Sequence, residues 1–448
     1  MTTIPENLGN ESIRMLQALL RTDTQSPPGN EIRSAEVIRE ELAAHGIESE
    51  FLEAAPGRVS IVARLTAANP TARPVLLMGH IDVVTVEPEK WTRDPFGGEL
   101  DDDGFLWGRG ALDMKCQVAG ELAAFIALKE SGAALTRDVI FVAFADEEAG
   151  GTYGADWVYK NHLDKIDAEF AINEGGGTPL EIAGRTFYTC QAGEKGSCGL
   201  KMTVRGLPGH ASVPIQGTAF QNLSKALERL DAWQHPTVIT KSVRLMLESL
   251  GNAIGGDLAE QVTAILSQDS PDWSELETLP LPDDYKSSFK AITRNTTVPT
   301  MISGGKQLNV IPGEITVCID CRLLPGADPD AVLAEAQEIV GDLAEMSFLY
   351  ETQEVGIEAD PASSFFDAIQ ATMSTMIPGV TVIPTLISGG TDAALLPGIK
   401  VYGFYPFPST DRLAIYDPLV HGHDERIHVD DQVFATEFVY RLLWHVAV

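Results

Sequence analysis

The residues able to do chemistry gather in five short strings. Gly79-His80-Ile81-Asp82 closes the apolar run PVLLMGHIDVV. An imidazole there can ligate a metal through one nitrogen while a carboxylate holds the other, fixing the tautomer. Asp82 shares a face with His80 if the segment stays extended, because residues i and i+2 point the same way. GRGALDMK (108–115) sets Asp113 after a glycine-rich turn and before a helix. FADEEAGG (144–151) puts Asp146, Glu147 and Glu148 in a row after another apolar run, and such adjacent acids repel one another unless a cation or solvent compensates. AINEGGG (171–177) carries Glu174 at the end of a short apolar run, and HGHDERIHVDD (421–431) holds three of the nine histidines.

Each string alone has an ordinary reading. His80 could be a satisfied core histidine, Asp113 a helix cap, and the acid run an exposed strand end. Together they make a mixed nitrogen and oxygen donor set without thiolates, which suits Zn²⁺, with Co²⁺ or Mn²⁺ as alternatives. The number of carboxylates suggests two ions ~3.5–4 Å apart with one carboxylate between them. A glycosidase reading of the paired acids fails, because Glu147 and Glu148 are sequence neighbours and both histidine strings would have no use.

Such residues need strand ends to hold them. RVSIVARL, PVLLMGHIDVV and DVIFVAFADEE are rich in Val, Ile and Leu and predict buried strands. Residues 10–22 have helical periodicity with Asn10 as a cap, 34–46 form a second helix stopping at Gly46, and VAGELAAFIALKESG predicts a helix with an apolar face. The alternation predicts an α/β sheet covered by helices, with polar residues at the strands' carboxyl ends facing a ligand crevice. Near residue 195 the pattern changes. GSCGLKMTVRGL and NVIPGEITVCIDCRLLPG alternate, while QNLSKALERLDAW and DPDAVLAEAQEIVGDLAEM are helical. This predicts a small α+β domain over 197–354, inserted into a larger one formed by 1–196 and 355–448. Residues 250–300, rich in Asp, Ser and Pro, match no element.

Composition narrows the partners. Of the 448 residues, 64 are acidic and 32 basic, a net charge of −32, and phosphate backbones would be repelled. Nucleic acid is therefore not an expected partner. No run approaches the ~18 apolar residues of a membrane span, and the start, MTTIPENLGNESIRML, lacks the basic and apolar regions of a secretion signal. The five cysteines fit reduced thiols in a cytoplasmic protein. Cys318 and Cys321 have C-x-x-C spacing but no partner pair, so a zinc knuckle is not expected.

In order along nearly the whole chain, these motifs resemble the M20 metallopeptidase family, the group of aminoacylase, glutamate carboxypeptidase, succinyl-diaminopimelate desuccinylase and acetylornithine deacetylase. The resemblance implies a zinc-exopeptidase-like α/β catalytic domain with an inserted ferredoxin-like lid that dimerises. It implies His80 and Glu174 as ligands of one ion, Glu148 and His421 as ligands of the other, and Asp113 as the bridge. His421 fits the family's spacing to Asp424-Glu425, which leaves His423 and His428 as supporting residues. Asp82 is the carboxylate behind His80 and Glu147 the general base, acting on a metal-bridged water. PGHAS (208–212) resembles the lid motif whose histidine, here His210, reaches the partner subunit's site. Asn309, Arg322 and Gly390 match substrate-contacting positions, with Arg322 on the substrate carboxylate. Glu at 174 places the chain with acylases and carboxypeptidases rather than aminotripeptidases. The implied activity is hydrolysis of an amide bond beside a free carboxylate, in a small N-acyl amino acid or short peptide. The alternatives are a dipeptidase of the same family and a silent binding protein. The second would have no use for an intact Glu147.

Overall fold

The computed structural model describes residues 3–408 and 410–448. The chain forms two compact units. The larger comprises 1–192, 359–385 and 391–448, and the smaller 193–358 with 386–390. The sequence pattern divides the chain after residues 196 and 354 and does not reveal the 386–390 segment. The change falls inside a strand, because Gly193 and Glu194 pair with Glu358 and Ile357 and so stay with the smaller unit.

In the larger unit, four parallel strands form the centre of a mixed sheet, in the order Val139–Phe144, Val75–His80, Phe170–Asn173, Lys400–Gly403. The first three are entirely buried, as their unbroken apolar runs require of strands covered on both faces. Antiparallel strands Arg58–Leu65 and Ser49–Ala55 extend one side. On one face the helix Lys115–Glu130 packs between Leu8–Leu20 and Val429–Ala447. It is buried on nearly every side rather than along one stripe, so helical periodicity could not reveal its surroundings. The first helix begins at Leu8, not at an Asn10 cap. Leu8 is buried, and its packing draws the preceding turn into the helix. The second helix spans Ile32–Ala44, followed by Gly46 at φ +66°. No helix among the described residues is long and apolar enough to cross a membrane.

The smaller unit has a four-stranded antiparallel sheet in the order Thr296–Gly304, Glu314–Leu323, Gly196–Arg205, Glu345–Phe348. With helices Ala219–Asp231 and Pro329–Val340 the chain order is βαββαβ, the ferredoxin-like arrangement. Strand Glu314–Leu323 buries every second residue, as its alternation predicts. Cys318 and Cys321 therefore fall on opposite faces and cannot converge on one ion. All five cysteines are free. The unassigned 250–300 region holds the helices Gly256–Leu266, Trp273–Glu277 and Asp283–Ile292, after Lys241–Ile254. Asp272 caps Trp273–Glu277 through its side chain, as Thr240 does for Lys241–Ile254 ahead of the region, so one of the polar residues that obscured the region starts a helix in it.

One close approach holds the acid run in place. A Cβ at Gly154 would stand 1.6 Å from the carbonyl oxygen of Ala145, one residue before Asp146. Gly154→Ala is therefore expected to destabilise the larger unit by about 2 kcal/mol and to lower its thermal midpoint by several degrees. An unchanged melting curve would contradict the tight fit.

Candidate metal centre

Six of the sequence-selected residues meet at the carboxyl ends of the parallel strands. His80 is the last residue of its strand, Glu174 follows Asn173, and Glu147 and Glu148 begin a single helical turn just after Phe144. Asp113 lies two residues before the long buried helix. It is not that helix's cap, since Met114 occupies the cap position without a side-chain bond. His421 sits in a loop with φ +60°.

The carboxylate of Asp113 is the centre of the arrangement. Its Oδ1 is 3.1 Å from His80 Nε2, and its Oδ2 is 3.0 Å from His421 Nε2. Each imidazole has a further glutamate near the same nitrogen. Glu174 is 3.8 Å from His80, and Glu148 is 3.3 Å from His421. Glu147 lies 3.9 Å from His80. Donor atoms of His80, Asp113 and Glu148 fall within 4.8 Å of one another, as do those of His80, Glu147 and Glu174.

Asp82 does more than stand behind the histidine. Its backbone carbonyl is 3.0 Å from His80 Nδ1, and its carboxylate is 3.5 Å away. A carbonyl only accepts, so Nδ1 carries the proton and Nε2 faces the acids. The same carboxylate accepts the backbone N–H groups of Glu147 and Glu148, both at 3.1 Å. One residue thus orients His80, through its carbonyl, and fixes the turn bearing both glutamates, through its carboxylate.

The third acid of the run is compensated without a metal. Asp146, at φ +70°, pairs with Arg58, which also forks onto the fully buried Glu31. Asp146 also accepts the N–H of Tyr153. The ionisation of Glu147, Glu148 and Glu174 reflects burial instead. Burial, with Asp392, Glu148 and Asp113 nearby, pushes Glu147 up to about 9 against the pull of His80. Burial raises Glu148 to about 7, and burial beside Asp113 holds Glu174 well above the usual carboxylate range. Burial would raise Asp113 too, but hydrogen bonds from His421 and His80 hold it far below. Burial opposes protonation of His80, yet Asp113 and Asp82 keep its pKa well above normal. Bonding to Asp113 raises His421. A cluster that must retain protons to limit its own repulsion, with hard oxygen and imidazole donors, fits divalent cations.

The smaller unit carries the remaining sequence-selected residues. His210 and Asn309 lie on or beside a two-stranded ribbon, Gly209–His210 with Val310–Ile311, and Asn309 accepts the N–H of Ala211. His210 is exposed, and its Nδ1 accepts from the N–H of Ser212 at 3.2 Å, which leaves the proton on Nε2. The Ser212 hydroxyl lies 2.7 Å from the same nitrogen. Arg322 forks onto Asp320 through Nε at 2.9 Å and Nη2 at 3.2 Å. Gly390 is exposed, and a Cβ there would meet nothing within 4 Å. Of the other histidines, His428 caps the last helix, and His423 lies 3.6 Å from Glu87. Sequence reasoning missed Asp320, Arg58, Asp392, and the Arg109–Glu425 pair behind Asp113. Asp320 and Asp392 lie two residues from positions it did select, and Glu425 served it only as a spacing mark.

The model of peptidase family M20/M25/M40 matches residues 76–445. The chain is 27% identical to aminoacylase-1 of Sus scrofa over 427 residues, covering 93% of this chain and 90% of the relative. An M20 family metallo-carboxypeptidase from Sulfolobus solfataricus shares the fold with a TM-score of 0.67 and 21% identity, over 97% of this chain and 98% of that one. Human carnosine dipeptidase 1 does so with a TM-score of 0.66 and 17% identity, over 99% of both chains. With the match running from the His80 strand to the last helix, the chain belongs to peptidase family M20/M25/M40 and is a hydrolase.

Proposed function

We propose that the protein hydrolyses an amide bond beside a free carboxylate, as an N-acyl-amino-acid deacylase or carboxypeptidase-type enzyme with two divalent cations, Zn²⁺ before Co²⁺ or Mn²⁺. The observation that carries this reading is the division of Asp113, each oxygen facing a different imidazole that has its own glutamate. His80 and Glu174 would hold one ion, His421 and Glu148 the other, with Asp113 between them. Two cations held there supply Lewis acidity, polarising the substrate carbonyl and making a water acidic enough to react near neutral pH.

The chain's own residues supply the rest. Glu147 takes the proton of the attacking water and delivers it to the leaving nitrogen. Its tendency to hold a proton suits the second step, and nearby cations favour the ionised form needed for the first. Asp82 keeps His80 and both glutamates in register. His210 donates from Nε2 to the developing oxyanion, a contact worth ~100- to 1000-fold in rate when removed. Arg322 receives the substrate carboxylate. Asp320 occupies its Nε–Nη2 edge, which leaves the Nη1–Nη2 edge for a second two-pronged contact. Asn309 and the backbone at Gly390 complete the substrate contacts.

His210 is proposed to serve the site of a partner subunit. The edge strand Thr296–Gly304 supports a homodimer through the smaller unit, since it exposes Val298, Met301 and Ile302 beside an unpaired backbone edge. The free thiols suit a cytoplasmic setting. The aminoacylase-1 likeness over 93% of the chain favours N-acyl amino acids as substrates.

The deciding experiment is amine release from N-acetyl amino acids, longer N-acyl amino acids and dipeptides by zinc-, cobalt- and manganese-loaded protein. Metal-dependent release from the acylated substrates supports the reading, and release from dipeptides alone makes the enzyme a dipeptidase. Glu147→Ala is expected to keep both ions and lose at least ~100-fold in kcat, and normal turnover would remove it as the base. Arg322→Ala should raise KM for substrates with a free carboxylate and leave their amide analogues unchanged. An equal effect on both would end that assignment. Because Glu147, Glu148 and Glu174 hold protons near neutrality without metal, cation binding should release protons. Affinity should therefore rise from pH 6 to pH 8. Calorimetry in buffers of different ionisation enthalpy reads this directly, and a pH-independent affinity would contradict it.

A further inference from the structure

We infer that the buried Arg109–Glu425 pair is a positioning device for the His421 side of the metal cluster, an inference that rests on the two-cation reading above. Both side chains are at most 2% exposed, with Arg109 Nη1 donating to Glu425 Oε2 at 2.5 Å. Glu425 also gathers the segment that ends in Asp113. Its Oε2 accepts the N–H of Gly110 at 3.0 Å, and its Oε1 accepts those of Leu112 at 2.6 Å and Asp113 at 3.1 Å. Its backbone carbonyl accepts the N–H of Gly108. Arg109 reaches the other loop, where Nη2 donates to the carbonyls of Gly422 at 2.7 Å and His421 at 3.3 Å.

The pair therefore joins the two loops that carry Asp113 and His421, and neither side chain touches a ligating atom in the site. The other ligands have independent supports. His80 is paired within the central sheet and bonded to Asp82, Glu174 follows a central strand, and Glu148 is fixed by Asp82. His421 has no regular element beneath it. Its side chain is half exposed, and its backbone is left-handed without being glycine. Asp424, also left-handed, ties this loop to Thr92 through its side chain, but at a greater remove from His421. A buried ion pair is poor evidence for stability, since apolar residues can replace one at no loss. Its value lies in the fixed geometry of a planar fork that meets a carboxylate and two carbonyls together.

Arg109→Lys tests this, because an ammonium can keep the charge beside Glu425 but cannot span the fork. Metal-free protein is titrated with Zn²⁺ against a competing chelator and with Co²⁺ followed by visible absorption. The wild type should take up two ions. The variant should bind the first within about threefold of wild-type affinity and the second about 10- to 100-fold more weakly, with the second cobalt spectrum shifted. Two ions bound with unchanged affinities overturns the inference, as does equal weakening of both. If Arg109→Lys does not fold, Glu425→Gln, which preserves shape and one acceptor, is read by the same criteria. A wild type that takes up only one ion overturns the two-cation reading itself, and this is measured before either variant.

Discussion

Crowded negative charge is the constraint around which the larger unit is arranged. Asp82, Asp113, Asp146, Glu147, Glu148, Glu174 and Glu425 all come to one end of a buried parallel sheet, where water screens them poorly. Each carboxylate must find a cation, a set of N–H donors, or a proton. Asp146 has Arg58, Glu425 has Arg109 and three backbone N–H groups, and Asp82 has two N–H groups and the His80 side. Asp113 draws on both imidazoles and stays ionised. Glu147, Glu148 and Glu174 are what remain, and burial together with the neighbouring carboxylates raises their pKa values. Under the proposed reading, two divalent cations would relieve this repulsion, and the same crowding would give them a reason to bind.

The sheet makes such crowding affordable. Strands covered on both faces are rigid, and their carboxyl ends converge without depending on surface loops. His80 pairs directly with Phe144, so the histidine and the acid run are carried by neighbouring strands. Asp82, two residues past His80, then reaches the turn two residues past Ala145. The register of one strand pair thus sets the spacing between an imidazole and two glutamates.

Much of this could be read from residues alone. The apolar runs before His80, Asp146 and Glu174 marked the central strands, and the period-2 pattern in 314–323 marked the smaller unit's sheet. The cluster around Asp113 was legible because His80, Glu147, Glu148 and Glu174 close or follow apolar runs at strand ends. What stayed hidden was partnership. Nothing in GRG or HDE announces that Arg109 and Glu425, more than 300 residues apart, share one buried fork. The Arg58–Asp146 pair also joins distant segments, 88 residues apart, so three adjacent acids looked alike although one faces an arginine. Residues 250–300 were obscure for a different reason. Their helices are short, and they start at Gly255, Asp272 and Pro282, residue types that also suggest loops.

The two halves of the cluster are unequal, and the inequality has a direction. His80 is 1% exposed and locked by a strand, whereas His421 is 53% exposed on a loop. A site enclosed on all sides suits a structural ion, while a catalytic ion needs an open position for substrate. Here the His80 side of Asp113 is closed and the His421 side open. Under the proposed reading, a substrate carbonyl would approach by the exposed His421 side, with Glu148 beside it and Glu147 one residue away. The loop that makes this access possible would, left to itself, also make its ligand the least well aimed. On the inference drawn for Arg109, a guanidinium buried under that loop would reconcile the two demands, holding the loop by the carbonyls of His421 and Gly422 and leaving the ring open.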